Sequence, residues 1–474
     1  MNRRAPHLLL LAAVVLAAAA VSPGPAQAQR PLHTGFLDPT SFTWEPSTFD
    51  KARVAGATRV RLALYWVSVL NGKGEPSNPA QWDHPDYNWG WFDAQVRRAR
   101  ANGLDPIVSI QEAPAWATFG GVGHIDRPSP AKLAQFAHAA ATRYSGTKTP
   151  AGATTPLPAV RFWQVWNEPN RGYFLSPQVV DGRMVSADWY RGMVDAMGSA
   201  VRAVDGRNRI VAGGLAPMAR TGHPSPLGFM RALLCVSPEL KRTCDLRGNP
   251  VDLDIWAHHP YTPGAPTRKA KGKGDVMISG LPKMSRLLRT AIRLGQVRTR
   301  RPVELWATEF AWDSAPPDPR ALPMKIHARW TSEALYRMWK AGVSTITWFL
   351  VQDEPMSSSR YQSGVYTVTG KRKRSFTAFR FPVVAFRATG GIRVWGRTPR
   401  GTNGRVQLFV RSGSLWRPLG RLRTTRYGIF QHTFRTPYRG PVKAAFRREQ
   451  SLPFSLTPVK DRYVEPFGSP LRPR

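Results

Sequence analysis

Two cysteines in 474 residues, Cys235 and Cys244, leave no Cys-x-x-Cys anywhere and exclude a zinc ribbon. They bracket "VSPELKRT" and form either a short-loop disulfide in an oxidising compartment or two free thiols. Phosphate loops, dinucleotide fingerprints and metal-ligand spacings are missing as well; "GGVGHI" at 120–125 opens no helix and does not count. No cofactor and no metal is expected. No repeat of fixed period runs through the chain. No apolar run reaches the ~20 residues of a spanning helix, so no transmembrane segment is expected.

Acidic residues are also scarce: 30 Asp and Glu stand against 68 Lys and Arg, a formal net charge of +38. The imbalance is steepest over residues 360–474, which hold 25 basic side chains and three acidic ones. Such a surface associates with polyanions, here an anionic cell-wall or extracellular polymer, lipid headgroups or nucleic acid. A GC-rich coding sequence would give the same arginine excess with no partner at all. At the N-terminus, Arg3 and Arg4 precede an apolar stretch at 8–21 and the small-x-small triplet Ala26-Gln27-Ala28. Residues 1–28 therefore read as a secretory signal peptide, the protein as secreted or cell-surface associated, and a specific nucleic-acid partner is not expected.

What the chain does have is apolar and aromatic material: 42% hydrophobic residues and 17 Trp, more than a core ordinarily needs. Between 33 and 386 there are eight short runs rich in β-branched and aromatic residues: "HTGFL", "TRVRLALYW", "LDPIVSIQ", "VRFWQVW", "RIVAGGLAP", "VDLDIWAHH", "VELWATEF" and "STITWFLV". Each gap leaves room for a helix. Ser129-Pro130 is an N-cap followed by Pro at the first helical position, with Leu133, Phe136, Ala137 and Ala140 on one face and Gly146 at the stop. Residues 186–204 and 324–341 repeat the theme, the second ending at Gly342. This α/β pattern predicts a (β/α)8 TIM barrel over 33–386, or alternatively a doubly wound open sheet. Period-two runs over 391–447 predict a small antiparallel β-sandwich, followed by a Pro/Arg-rich tail at 448–474 that is either packed or loose.

Two carboxylates share one setting. Glu168 in "VWNEPN" closes the fourth run, and Glu309 in "LWATEFAW" closes the seventh. In a barrel those strand ends face each other across the mouth where active sites form. A pair of carboxyl groups flanking one bond is what glycoside hydrolysis requires, and a separation of about 5 Å implies a covalent intermediate and retention of configuration.

"WNEPN" and "WATEFAW" resemble the signatures of the clan A retaining glycoside hydrolases, nearest to family 39-like and cellulase-like members, including bacterial exopolysaccharide hydrolases. The resemblance covers about residues 33–386. It implies a carbohydrate substrate, Glu168 as acid/base and Glu309 as nucleophile. It further implies Asn167 on a sugar 2-hydroxyl, Arg61 near the nucleophile, and His259 and Tyr261 as a His-x-Tyr whose hydroxyl orients the nucleophile. Trp348 corresponds to the family's sugar-stacking tryptophan; Trp312, Trp116 and Trp66 either line subsites or pack in the core. His258 reads as structural. Gln111 stands where some members have His, and "TEFAW" replaces the usual "TEFGW". The basic loop "TPGAPTRKAKGKGD" reads as a lid, a clamp for an acidic sugar or a solvated loop. A different class remains: a catalytically silent glycan- or polyanion-binding surface protein on a hydrolase-like barrel.

Overall fold

The computed structural model describes residues 30–123, 126–357, 359 and 361–464. The expected signal peptide and the last ten residues of the tail lie outside them. Each of the eight runs supplies one strand: β1 (His33–Leu37), β2 (Arg59–Tyr65), β3 (Asp105–Gln111), β4 (Phe162–Val165), β5 (Arg209–Leu215), β6 (Ile255–His258), β7 (Glu304–Phe310) and β8 (Val343–Phe349). All pair in parallel, and β1 closes on β8, so the sheet is a barrel and not an open doubly wound sheet. Ser129 caps the helix Pro130–Arg143 as predicted, accepting the Lys132 N–H at 3.4 Å. The helix Met324–Ala341 stops at Gly342, whose φ of 113° suits glycine. Among the described residues, no helix is long and apolar enough to cross a membrane.

Inside the barrel, Ile107, Val211, Ile255, Ala257 and Trp306 form their own buried cluster, with Phe162 packed against it. The Arg59 guanidinium lies 4.6 Å from the Phe162 ring and 4.4 Å from that of Trp306. With the lumen filled there, open space for chemistry remains at the strand C-terminal ends.

Two irregularities re-aim side chains at that end. In β7, Ala307 faces Ile346 while Phe310 faces Trp348, so Thr308 and Glu309 together oppose a single residue of β8. Such a bulge reverses the alternation of side chains and turns Glu309 to the lumen. In β5 the register slips between Gly213 and Leu215. Gly213 and Gly214 have φ of 94° and 65°, and a Cβ on Gly213 would lie 2.4 Å from the Ala257 carbonyl oxygen. Glycine is required there.

The chain changes units earlier than the sequence indicates. β9 (Val383–Ala388), assigned above to the barrel through 386, pairs in antiparallel with β10 (Gly391–Arg397). The second unit continues through β11 (Arg405–Ser412), β12 (Leu415–Arg423), β13 (Ile429–Arg435), β14 (Val442–Phe446) and β15 (Glu449–Gln450). Its sheets have the orders β9-β10-β13 and β12-β11-β14-β15. Trp395 of β10 sits 5.3 Å from Tyr336 and 5.5 Å from Trp339 on the helix Met324–Ala341, so the sandwich is docked on the barrel through aromatic packing. The described part of the tail is packed too: Phe454 exchanges backbone hydrogen bonds with Val442, and Asp461 reaches Arg268 at 2.9 Å. Cys235 and Cys244 are bonded.

The segment after β8 is held by one buried cation. Lys373 Nζ donates to Asp353 (2.6 Å), Ser314 (2.8 Å) and the Gln362 carbonyl (3.0 Å), with both partners of the ion pair essentially unexposed. Removing one member strands the other charge in a dry site. Lys373→Met is expected to cost about 3–5 kcal/mol in a denaturant titration, and the double change Lys373→Met with Asp353→Leu to recover most of it.

Candidate active site

The turn after β4 is pinned from every side. Trp166 and Glu168 have φ of 64° and 39°, left-handed values that bulky residues adopt only under constraint. Trp166 N–H donates to the Ile110 carbonyl and its Nε1 to Phe174 O at 2.7 Å, while Tyr190 donates its hydroxyl to Val165 O at 2.7 Å. Asn170, fully buried, brackets Ala216 with one bond in each direction, at 3.1 and 2.9 Å. Glu168 N–H reaches Gly214 O in the bulge of β5. The backbone strain is thus overdetermined by its neighbours, and the carboxylate is delivered to the lumen.

Glu309 arrives from the opposite side and is held by two donors. Arg61 Nη1 donates to Oε2 and the Tyr261 hydroxyl to Oε1, each at 2.9 Å. The guanidinium, 1% exposed, also donates through Nη2 to Asn167 Oδ1 (2.8 Å) and Ser109 Oγ (3.2 Å). Asn167 is thereby oriented with its carbonyl engaged, which leaves its amide Nδ2 as the donor for a ligand.

His259 links the two acids. Its Nδ1 stands 3.0 Å from Glu168 Oε1 and 3.8 Å from Glu309 Oε2. Burial pushes the imidazole pKa down to about 3, so the ring is neutral. Nδ1 is the ring nitrogen that faces the two acids and shares the hydrogen bond with Glu168. Burial also pushes the Glu168 carboxyl up to about 7, against the pull of Arg171, Arg61 and Arg220. One site therefore holds a carboxyl whose pKa burial raises to about 7 and a second carboxyl group fixed by an arginine and a tyrosine.

Among solved structures, the chain superposes on a family 39 glycoside hydrolase from the gut symbiont Bacteroides cellulosilyticus WH2 with a TM-score of 0.53, at 16% identity over 87% of this chain and 83% of that one. A glucosidase from Croceicoccus marinus gives 0.50 and 17%, covering 84% of this chain and 81% of the other. The chain has the fold of a family 39 glycoside hydrolase. No family model matches the sequence, and no curated protein matches it. At these identities the likeness concerns the fold alone.

In this barrel the structure brings Glu168, Glu309, Asn167, Arg61, His259 and Tyr261 into one hydrogen-bonded set. Trp348, expected to stack on sugar, lies in the core, and of the two readings open for Trp312 the structure takes core packing. Trp348 is wholly buried among Phe310, Trp312, His327 and Phe379, with its Nε1 on Ser363 O at 2.7 Å. Trp312 is equally buried, bonded to Thr262 O and packed on Trp330. A ring with no exposed face cannot stack on a ligand, so both belong to the layer between barrel and helices. Phe349, one residue on and partly exposed, forms an edge-on pair with Tyr361 at 5.0 Å and is the aromatic at the end of β8. Trp116 is half-buried, edge-on to Trp66 and under Lys132 Nζ, which lies 5.0 Å from its ring; Trp66 is core, stacked on Phe136. His258 is bonded to the Val276 carbonyl at 2.7 Å, and Gln111 Nε2 reaches Ser109. Sequence reasoning missed Ser109, Arg171, Arg220 and Tyr361, none of which sits in a recognisable motif.

The raised pKa of Glu168 has a stability signature. A carboxyl whose pKa rises on folding takes up protons as the chain folds, so its contribution is complete below about pH 4.5 and is lost as pH rises through about 7. At 1.36 kcal/mol per pKa unit the loss is about 3 kcal/mol. Glu168→Gln is therefore expected to raise the melting temperature relative to the native protein at pH 8 and to leave it nearly unchanged at pH 4.5.

Proposed function

We propose that the protein is a secreted retaining glycoside hydrolase that cleaves O-glycosidic bonds of a polysaccharide or glycoconjugate by double displacement through two glutamates. The observation that carries this reading is the division of labour between the acids: burial raises the Glu168 carboxyl to about 7, where it can give up a proton, while Arg61 and Tyr261 hold Glu309 as an acceptor. Their separation supports retention. Both oxygens lie within 3.8 Å of one nitrogen, so their distance is below the sum of two short contacts. That excludes most of the ~6.5–9.5 Å range in which inverting enzymes keep a water, and it admits the ~5–5.5 Å of retaining ones.

In the first step Glu309 forms a bond to the anomeric carbon as the glycosidic C–O bond breaks, and Glu168 gives its proton to the departing oxygen. In the second, the Glu168 carboxylate takes a proton from water, whose oxygen displaces Glu309 from the same carbon. Arg61 and Tyr261 fix the nucleophile's direction of approach, and Asn167 Nδ2 is placed to donate to a sugar hydroxyl beside the reacting carbon. The leader-like residues 1–28 support export. The exposed Arg417, Arg421 and Arg423 of β12 support retention on an anionic cell-wall or extracellular polymer. The complete hydrogen-bonded acid pair argues against a silent binding protein.

Purified mature protein is to be screened for reducing-end release on bacterial and plant polysaccharides, beside Glu168→Gln and Glu309→Gln. Release is expected to fall by about 10³ or more in both variants, a loss of ~4 kcal/mol of transition-state stabilisation. The initial product is expected to keep the substrate's anomeric configuration by NMR, and kcat/KM to fall as pH rises through about 7, where Glu168 loses its proton. Glycan binding by the folded native protein with no release on any substrate overturns the proposal.

A further inference from the structure

The loop after β4 carries a buried cation that the fold leaves without acceptors. Arg171 lies three residues beyond Glu168, donates its backbone N–H to the Glu168 carbonyl at 2.8 Å, and is 3% exposed. Its Nε and Nη1 are buried and have no hydrogen-bond partner among the described residues. A guanidinium in that condition costs several kcal/mol unless something supplies the missing oxygens.

The loop after β5 brings a second arginine to the same place. Arg220 and His223 exchange backbone hydrogen bonds at 3.1 and 2.8 Å, closing a tight turn. His223 Nδ1 accepts the Gly172 N–H at 2.9 Å, and its ring lies 5.4 Å from that of Tyr173. A Cβ on Gly172 would stand 3.3 Å from the His223 ring, so the two loops are in direct contact. Arg171 and exposed Arg220 thus sit on adjoining loops beside the acid/base, and both arginines act on the Glu168 carboxyl. The nearby carboxylate of Asp275 is engaged by the Ala219 N–H. Arg268, in the basic loop that the sequence offered as a clamp for an acidic sugar, is instead paired with Asp461.

Resting on the glycosidase reading above, we propose that Arg171 and Arg220 form a subsite on the leaving-group side that binds the carboxylate of a uronic acid unit, so that the substrate is an acidic polysaccharide. The acid/base stands beside the leaving oxygen, and cations next to Glu168 therefore face the unit that departs. The planar guanidinium fork matches a carboxylate, and a desolvated site strengthens each bond. The bound anion also offsets two of the three cations that favour the ionised form of Glu168, which keeps the acid protonated for the first step.

The probes are four-unit oligosaccharides of galacturonate and of mannuronate and a glucuronate-bearing xylotetraose, each used as such and after reduction of its carboxyls to primary alcohols. Short probes at 0.15 M salt keep the basic sandwich surface from dominating. Binding is measured on Glu309→Gln and turnover on the native enzyme. At least one acidic probe is expected to bind ten-fold or more tightly than its reduced form, and Arg171→Gln and Arg220→Gln, each in the Glu309→Gln background, to bring that ratio towards one. Arg220 is exposed, so its variant keeps the test decisive if Arg171→Gln does not fold. Equal binding of acidic and reduced probes, or a preference that survives both substitutions, overturns the proposal, as does an equal Arg171-dependent preference for a sulfated tetrasaccharide. An intact binding preference with no turnover of any probe supports the subsite and counts against the glycosidase reading alone.

Discussion

Arg61 is a cation with almost no exposed surface, and the geometry of the candidate site follows from how it is neutralised. Its terminal nitrogens meet Glu309, Asn167 and Ser109, which come from β7, the turn after β4 and β3. A buried guanidinium must keep its anionic partner or destabilise the fold by several kcal/mol. The nucleophile candidate is therefore fixed by the requirements of folding as well as by those of chemistry. The same nitrogen that orients Asn167 also bonds Ser109 Oγ, which donates onward to the Trp166 carbonyl in the strained turn that carries Glu168. One arginine thus couples the positions of both carboxyl groups.

The two acids differ in their surroundings. Glu309 accepts from a guanidinium and a phenol, which fix its two oxygens. Glu168 meets a neutral imidazole, and the three arginines that act on it do not outweigh burial. Neutrality of His259 matters here: a charged ring at 3.0 Å would have drawn Glu168 towards ionisation. Burial of the histidine and burial of the glutamate act in the same direction on the chemistry.

Much of this was legible in the sequence because it is local. Each barrel strand is a compact apolar run, and Asn167-Glu168 and Glu309 lie at the ends of such runs, so naming the strands located the carboxylates. Trp348 was misplaced because the face a residue presents depends on register. With the bulge at Thr308 and Glu309, Glu309 turns inward while Phe310 packs outward against Trp348, leaving Phe349 at the mouth. No propensity or spacing reports an extra residue in a ladder. The boundary at β9 was missed for a related reason: "VVAFRA" has the same composition as a barrel strand, and only its pairing with β10 assigns it to the sandwich. Arg171 and Arg220 belong to different loops, and their proximity is a product of the His223 bond to Gly172.

The mouth carries an accumulation of backbone strain that the rest of the molecule has to offset. Glu112, Trp166, Glu168 and Leu350 all have positive φ, and all follow strands at the same end of the barrel. Such residues cost of order 1–3 kcal/mol each and persist only where their surroundings overdetermine them. Those surroundings reach well beyond the barrel sheet. The segment that follows Leu350 is tied by Lys373 and by Asp38, whose carboxylate accepts the Val351 N–H, and the sandwich buttresses the helix Met324–Ala341 behind β8 through Trp395. The C-terminal tail then returns to the loop after β6 through Asp461. The second unit is therefore part of what holds the mouth in a strained, preorganised shape.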